Sequence, residues 1–256
     1  TPPVGFRMQG MMSRTGGSVG VESQLLATAL VFADNNTKVA IIDCDIFGFD
    51  MRLDLEIRDS IGNRIGTISK NVLLGYTHTH HAPCTVRGTN GGVHDVGGDP
   101  QEMRALDAYI FNLVGMLTGL AAMADNDSQP ARAASGRGTA AVAINREEQT
   151  PDGLIVVGRN PDGITDHSVD VLRVDDLDGN PIAVLTSYAA HPVVMGLDTD
   201  VISQDFPGVV RNVVERVTGA TCLFLTGAAG DQAMLSFLQN DWGEQERMGG
   251  IIGAEV

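Results

Sequence analysis

The 256-residue sequence is short of lysine, cysteine, aromatic side chains and positive charge, and these shortages narrow what the protein can be. Lys38 and Lys70 are the only lysines among seventeen cationic residues, which face 32 carboxylates for a formal charge of -15. A field of that sign repels phosphate backbones and anionic bilayers, which argues against nucleic acid as a partner. Cys44, Cys84 and Cys222 are odd in number and contain no CxxC pair. They fit neither a disulfide framework nor a four-cysteine zinc site, and buried free thiols are expected. Long apolar runs are also missing: the most apolar stretch, around residues 107–124, includes Asp107 and Asn112, so no transmembrane segment is expected.

What is present is a hydrophobic content of 43%, enough to fill the core of one domain spanning residues 1–256. The start at Thr1-Pro2-Pro3, without Met or a signal peptide, reads as a processed form or a fragment. Apolar runs at residues 24–33 and 38–43 flank Asp34-Asn35-Asn36-Thr37 and predict a β-hairpin that brings Asp43 and Asp45 to a strand end. Leu53, Ile57, Ile61 and Ile65 recur every four residues and predict a helix, followed by a strand from Asn71 to Tyr76. A glycine-rich loop at 88–98 leads to Asp99-Pro100-Gln101-Glu102, which combines an N-cap, a proline in the first turn and a capping-box Glu. Met103, Leu106, Ile110, Leu113, Leu117 and Leu120 then mark the clearest amphipathic helix.

Residues 125–139 read as a polar surface loop, and Ala140 to Ile144 as a strand ending at Asn145-Arg146. A second hairpin is predicted around Asp175–Pro181, its outgoing strand ending at Ala190-His191-Pro192. A valine stripe from Phe206 to Val217, stopped by Gly219, precedes a strand at Thr221–Thr226 and the loop Gly227–Asp231. Hairpins mixed with crossover helices define an α/β (α+β) fold with a mixed sheet flanked by helices.

The chemistry-bearing residues gather at strand ends. His78-x-His80 follows a strand, and alternate residues of an extended chain share a side, so both imidazoles can approach one ion or one substrate group. His191 sits just before Pro192, which fixes the backbone after a candidate ligand, while His81 and His94 read as structural or solvent-exposed. The loop containing Gly230 and Asp231 can bring main-chain groups close to a substrate, but it lacks the Lys and Ser/Thr of a P-loop. Asp43, Asp45, Asp205 and Asp231 lie at element ends, where carboxylates serve as caps, turn formers, ligands or bases.

Eight landmarks occur in one order: Thr1-Pro2-Pro3-Val4-Gly5, Asp43-Cys44-Asp45, Thr77-His78-Thr79-His80, Asn145-Arg146, Asn160-Pro161-Asp162-Gly163, Ala190-His191-Pro192, Ser203-Gln204-Asp205-Phe206-Pro207-Gly208 and Gly227-Ala228-Ala229-Gly230-Asp231. Together they resemble the N-terminal domain of neutral/alkaline non-lysosomal ceramidases and their bacterial relatives. The resemblance implies a zinc-dependent amidase with a ceramidase-like catalytic-domain fold. It assigns zinc to His78 and His191, a place beside the reaction centre to His80, and stabilisation of developing negative charge to Arg146. It also implies a small-molecule or lipid-amide substrate, a place in lipid metabolism, and an extracellular or periplasmic (secreted) location.

The chain departs from the family pattern in two places. Where the family has Ser-Gly-Pro followed by glycines after the paired histidines, this chain has His81-Ala82-Pro83-Cys84, and the Ser after Gly-Asp is missing from Gly230-Asp231-Gln232-Ala233-Met234. The resemblance implies a zinc site completed by a downstream Glu and Tyr that this stretch does not reach, so three expectations stand: the stretch lacks the C-terminal part of the catalytic domain, a carboxylate such as Asp45 or Asp231 substitutes, or catalysis has been lost. Three functions stand side by side: a zinc hydrolase of ceramide-like or other N-acyl amides, a non-catalytic assembly relative, and a zinc esterase or deacetylase on the same scaffold. A homo-oligomer is compatible with each.

Overall fold

The computed structural model describes residues 1–11, 13–14, 16–86, 100–196 and 198–256. After a two-residue strand β1 (Gly20–Val21), β2 (Ala27–Ala33) and β3 (Lys38–Cys44) form the expected antiparallel hairpin. The Asp34 carboxylate closes its turn by accepting from the amides of Asn36 (2.8 Å) and Thr37 (2.6 Å). Helix α1 (Met51–Ile65) starts where Asp50 accepts from the Leu53 amide at 2.9 Å. Strand β4 (Val72–Tyr76) then returns parallel to β3, giving a mixed sheet in the order β2-β3-β4.

The four-residue spacing of Leu53, Ile57, Ile61 and Ile65 places one face of α1 in the core with Ala40, Ile42, Val72 and Leu74. Burying each of these larger side chains contributes about 1.5–3 kcal/mol before entropy is counted. Helix α2 (Pro100–Asn126) adds Leu106, Ile110, Leu113 and Leu117 to the same core, packing on α1 and β2. By length and composition alone α2 is long and apolar enough to cross a membrane, more so than its sequence suggested, but a core helix passes the same test. In this structure its buried stripe is a core face. Asp99, His94 and the glycine-rich loop at 88–98 lie outside the described residues.

The tract expected as a loop at 125–139 is the end of α2 and a nine-residue strand, β5 (Ala131–Thr139). β5 carries no inward apolar alternation because it is an edge strand held by its register with β8 (Ser168–Asp176), from Ala131 opposite Asp176 to Thr139 opposite Ser168. The strand expected at 140–144 is instead β6 (Ala143–Gln149), so Asn145 and Arg146 lie within it, paired antiparallel with β7 (Ile155–Asn160). β8 and β9 (Pro181–Tyr188) make the second expected hairpin. β10 (Val201–Ile202) pairs parallel with β1.

Helix α3 (Asp205–Thr218) ends at Gly219, whose φ of 73° supplies the left-handed stop read from the sequence. β11 (Thr221–Thr226) runs parallel to β9, completing the sheet β11-β9-β8-β5, while β12 (Gln232–Met234) joins β6 and β7. Helix α4 (Trp242–Glu255) closes the described chain. The protein is thus a mixed α/β fold with helix-flanked sheets. Packing divides it into two compact units: residues 1–130 with 200–204, and residues 131–199 with 205–256. Each has its own core, the second built on Val184, Phe206, Val210, Phe224, Met234 and Ile252.

Candidate functional site

In the first unit the run from Thr77 to His81 leaves β4 and turns at once. His78 has a φ of 61°, so the paired histidines are not presented by an extended strand as the spacing implied. A non-glycine residue in that region costs on the order of 1 kcal/mol or more and is held only where its surroundings fix it. They do so here: Thr77 N donates to Cys44 O (2.9 Å), His78 N to Ile46 O (3.0 Å), and the Thr79 hydroxyl to Ser203 O (2.9 Å). Thr77, Thr79 and His81 are buried, and His81 Nδ1 contacts Val201 O at 3.1 Å, so His81 is structural rather than solvent-exposed.

The left-handed turn brings His78 and His80 together, with ring centroids 5.3 Å apart and edge to face. Phe47 packs against both rings, at 4.1 Å from His78 and 4.9 Å from His80. Its carbonyl oxygen also lies 2.6 Å from His78 Nδ1. A carbonyl can only accept, so Nδ1 carries the proton and coordination by His78 would fall to Nε2.

In the second unit one loop serves both candidate residues. His191 Nδ1 lies 2.8 Å from Ala229 O, which again assigns ligand duty to Nε2, and His191 N donates to Gln232 O (3.0 Å). Arg146 donates from Nε (3.0 Å) and Nη2 (2.8 Å) to Gly230 O, while its amide donates to Asp231 O (2.7 Å). Gly230 and Asp231 therefore offer Arg146 their carbonyls, an arrangement the sequence did not reveal. Gln232 anchors the loop from below, donating through Nε2 to Ala228 O and accepting from the Asp166 amide, each at 2.9 Å.

Arg146 sits at a register shift between Asn145 and Glu147, where β6 bulges against β7. A bulge turns one side chain out of the strand's alternation. Asn145 fixes it by donating to Ile164 O (3.1 Å) and accepting from the Glu147 amide (2.9 Å). Partial burial pulls the Arg146 guanidinium below its ordinary pKa, opposed by the carboxylates of Asp231 and Glu147.

These features fit what is known of related sequences. The sequence profile described as neutral/alkaline non-lysosomal ceramidase, N-terminal, matches residues 1–243. The chain belongs to that ceramidase family. Two solved structures share its fold: a ceramidase complexed with C2 (TM-score 0.77) and the neutral ceramidase from Pseudomonas aeruginosa (TM-score 0.76), each 19% identical to it. Both alignments cover 98% of this chain but only 41% and 42% of the respective ceramidases, so it spans about two fifths of their length.

The remaining candidates have structural partners. Asp45 accepts from the Leu26 amide through Oδ2 (2.9 Å), and Asp205, with a φ of 55°, accepts from Val194 N (3.1 Å) and Phe206 N (2.7 Å). The three cysteines are buried thiols outside any disulfide, as expected. Gly16 to Gly20 carries Gly-x-Ser-x-Gly spacing, but Ser18 is buried, accepts from the Gly5 amide (3.1 Å) and precedes a two-residue strand. A nucleophile elbow instead requires a strand turning into a helix.

Proposed function

We propose that this ceramidase-family chain forms part of a metal-dependent hydrolase of ceramide-like or other N-acyl amides, with zinc ligated through Nε2 of His78 and His191. The observation that carries the reading is the shared posture of the two imidazoles. Each has Nδ1 engaged by a main-chain carbonyl, Phe47 O for His78 and Ala229 O for His191. That outer contact selects the tautomer and raises the basicity of the opposite nitrogen, the usual support of a metal-bound histidine. Two imidazole donors favour zinc over oxygen-seeking cations such as magnesium or calcium.

When bound, zinc supplies Lewis acidity and an activated water near neutral pH. Arg146 then offers a permanent cation for the charge that develops on the amide oxygen, held by Gly230 O. His80 exchanges the proton that must leave the attacking water and reach the departing amine, splitting the amide into acid and amine. We further propose that the protein acts outside the cytoplasm.

Elemental analysis before and after zinc loading, with hydrolysis of a panel of N-acyl sphingosines and short-chain esters, tests the reading. About one zinc per chain, lost in a His78→Ala/His191→Ala double variant, is expected together with preference for the amides. Absence of zinc after loading overturns it, and preference for esters overturns the substrate assignment.

A further inference from the structure

The N-terminal segment contributes none of the residues assigned so far, yet it wraps the histidine turn of its own unit. Arg7 O accepts from Cys84 N (2.8 Å), Gln9 N donates to Ala82 O (3.0 Å), and Gln9 Oε1 accepts from the Thr85 amide (3.1 Å). Gly10 lies against the His80 ring. A Cβ there would stand 2.6 Å from His80 Cγ and Nδ1 and 2.9 Å from Phe47 Cε2, and its φ of +98° is one that side-chain-bearing residues avoid.

Arg14 closes the wrap. Its side chain is only 2% exposed; Nε donates to Asp200 Oδ1 (2.8 Å) and Nη1 to His80 O (2.7 Å), with Gln9 O at 3.5 Å. Asp200 belongs to the same unit, beside Val201, whose carbonyl contacts His81. One buried guanidinium thus ties the N-terminal segment, the histidine turn and residues 200–204 together. Its planar fork reaches a carboxylate and a carbonyl in fixed directions at once, which an ammonium does not reproduce. Desolvation lowers the Arg14 pKa against the opposing pull of Asp200, so burying this group works against stability unless its contacts offset the cost.

We propose that Arg14 is a positioning residue for His80: it clamps the His80 carbonyl from behind while Gly10 leaves room for the ring in front. The catalytic consequence rests on the role of His80 given under Proposed function; the positioning does not. A displacement of about 1 Å at a proton-transferring group lowers turnover by up to ~100-fold.

The test compares the zinc-loaded chain with Arg14→Ala and Arg14→Lys. Isotope-edited NMR follows the His80 ring protons and their Overhauser contacts to Gly10 Hα, with His167 as an internal reference, and kcat and KM are measured on a fluorescent N-acyl sphingosine. In Arg14→Ala, loss of the His80 to Gly10 contacts with His167 unmoved is expected, together with a fall in kcat of ~10–100-fold, KM within ~2-fold, and partial recovery with added methylguanidinium. Arg14→Lys falls between. Unchanged His80 signals in a folded Arg14→Ala variant overturn the proposal, as does a loss confined to KM. If Arg14→Ala does not fold, Arg14→Lys decides by the same signals. If the parent chain hydrolyses no N-acyl sphingosine, the amide-hydrolase role fails, and the Overhauser contacts alone still decide the positioning.

Discussion

Asp205 offers a direct check on how the second unit is built around His191. It is fully buried at the start of α3 with a φ of 55°; Oδ2 accepts from Val194 N at 3.1 Å and Oδ1 from Phe206 N at 2.7 Å. Val193 N in turn donates to His191 O (3.0 Å), so this carboxylate anchors the stretch that follows the candidate ligand. Bonds to a charged group contribute about 1.5–3 kcal/mol each, and the Val194 amide stranded by truncation is buried. Alanine also tolerates the left-handed backbone poorly, at a further cost of ~1–2 kcal/mol. Asp205→Ala is therefore expected to lose about 4–8 kcal/mol, which at ~2–4 °C per kcal/mol lowers Tm by ~8 °C or more. Asp205→Gly loses the same bonds without the backbone penalty and melts above Asp205→Ala. Asp205→Asn keeps one acceptor and a residue type at ease in that conformation, and melts highest of the three. Calorimetry on the matched set reads the order. An Asp205→Ala variant within ~3 °C of the parent refutes the hydrogen-bond argument, and Asp205→Gly melting below it refutes the backbone argument.

Three further outcomes are expected. Arg146→Lys keeps the charge but loses the doubled contact to Gly230 O, so amide hydrolysis should fall ~100-fold while Tm moves by less than a few degrees; full activity counts against a charge-stabilising role. Ile57→Ala, at a fully buried position of α1, should destabilise by ~2–5 kcal/mol with a matching drop in Tm, and a neutral result means the first core is not packed as described. Hydrogen bonds from Arg247 and Ser236 hold the Glu244 carboxyl down at about 2, so its small stabilising contribution is complete above its ordinary 4.5 and fades as pH falls toward 2; in Arg247→Ala a carboxyl-detected NMR titration should move its midpoint toward 4.5.

Much of the fold was legible because side-chain periodicity follows burial. The hairpins turning at Asp34–Thr37 and Asp176–Asn180, and the stripes of α1, α2 and α3, each write their packing into spacing. β5 did not, since a nearly all-exposed edge strand has no buried face to encode. α4 was hidden differently. Its glycines depress helix propensity, yet a Cβ at Gly249 would stand 2.6 Å from Val209 Cβ and one at Gly253 2.8 Å from Val213 Cβ, so close packing on α3 requires them. In the site, residue types pointed to His78 and His80, but the left-handed turn that pairs them is a main-chain feature. The Arg146 bulge and the Arg14 clamp escaped reading for the same reason: both depend on carbonyl groups that every residue carries.

The carboxylates considered as substitute ligands are separated by their surroundings. Asp45 is 1% exposed and its Oδ2 is engaged by the Leu26 amide, so it already secures the entrance to β2. Asn preserves an acceptor oxygen of nearly the same shape but removes the charge a zinc ligand needs. Asp45→Asn should therefore leave the zinc content of the loaded chain unchanged and Tm within ~3 °C, the shift matching roughly 1 kcal/mol. A fall in zinc content with Tm preserved would instead make Asp45 a ligand and overturn its structural assignment. Asp231 stands elsewhere, half-buried beside Arg146, where its charge favours the protonated guanidinium. Replacing it with Asn should act on turnover through Arg146 and leave zinc content as it was, because its charge is already directed at the cation that the reaction needs.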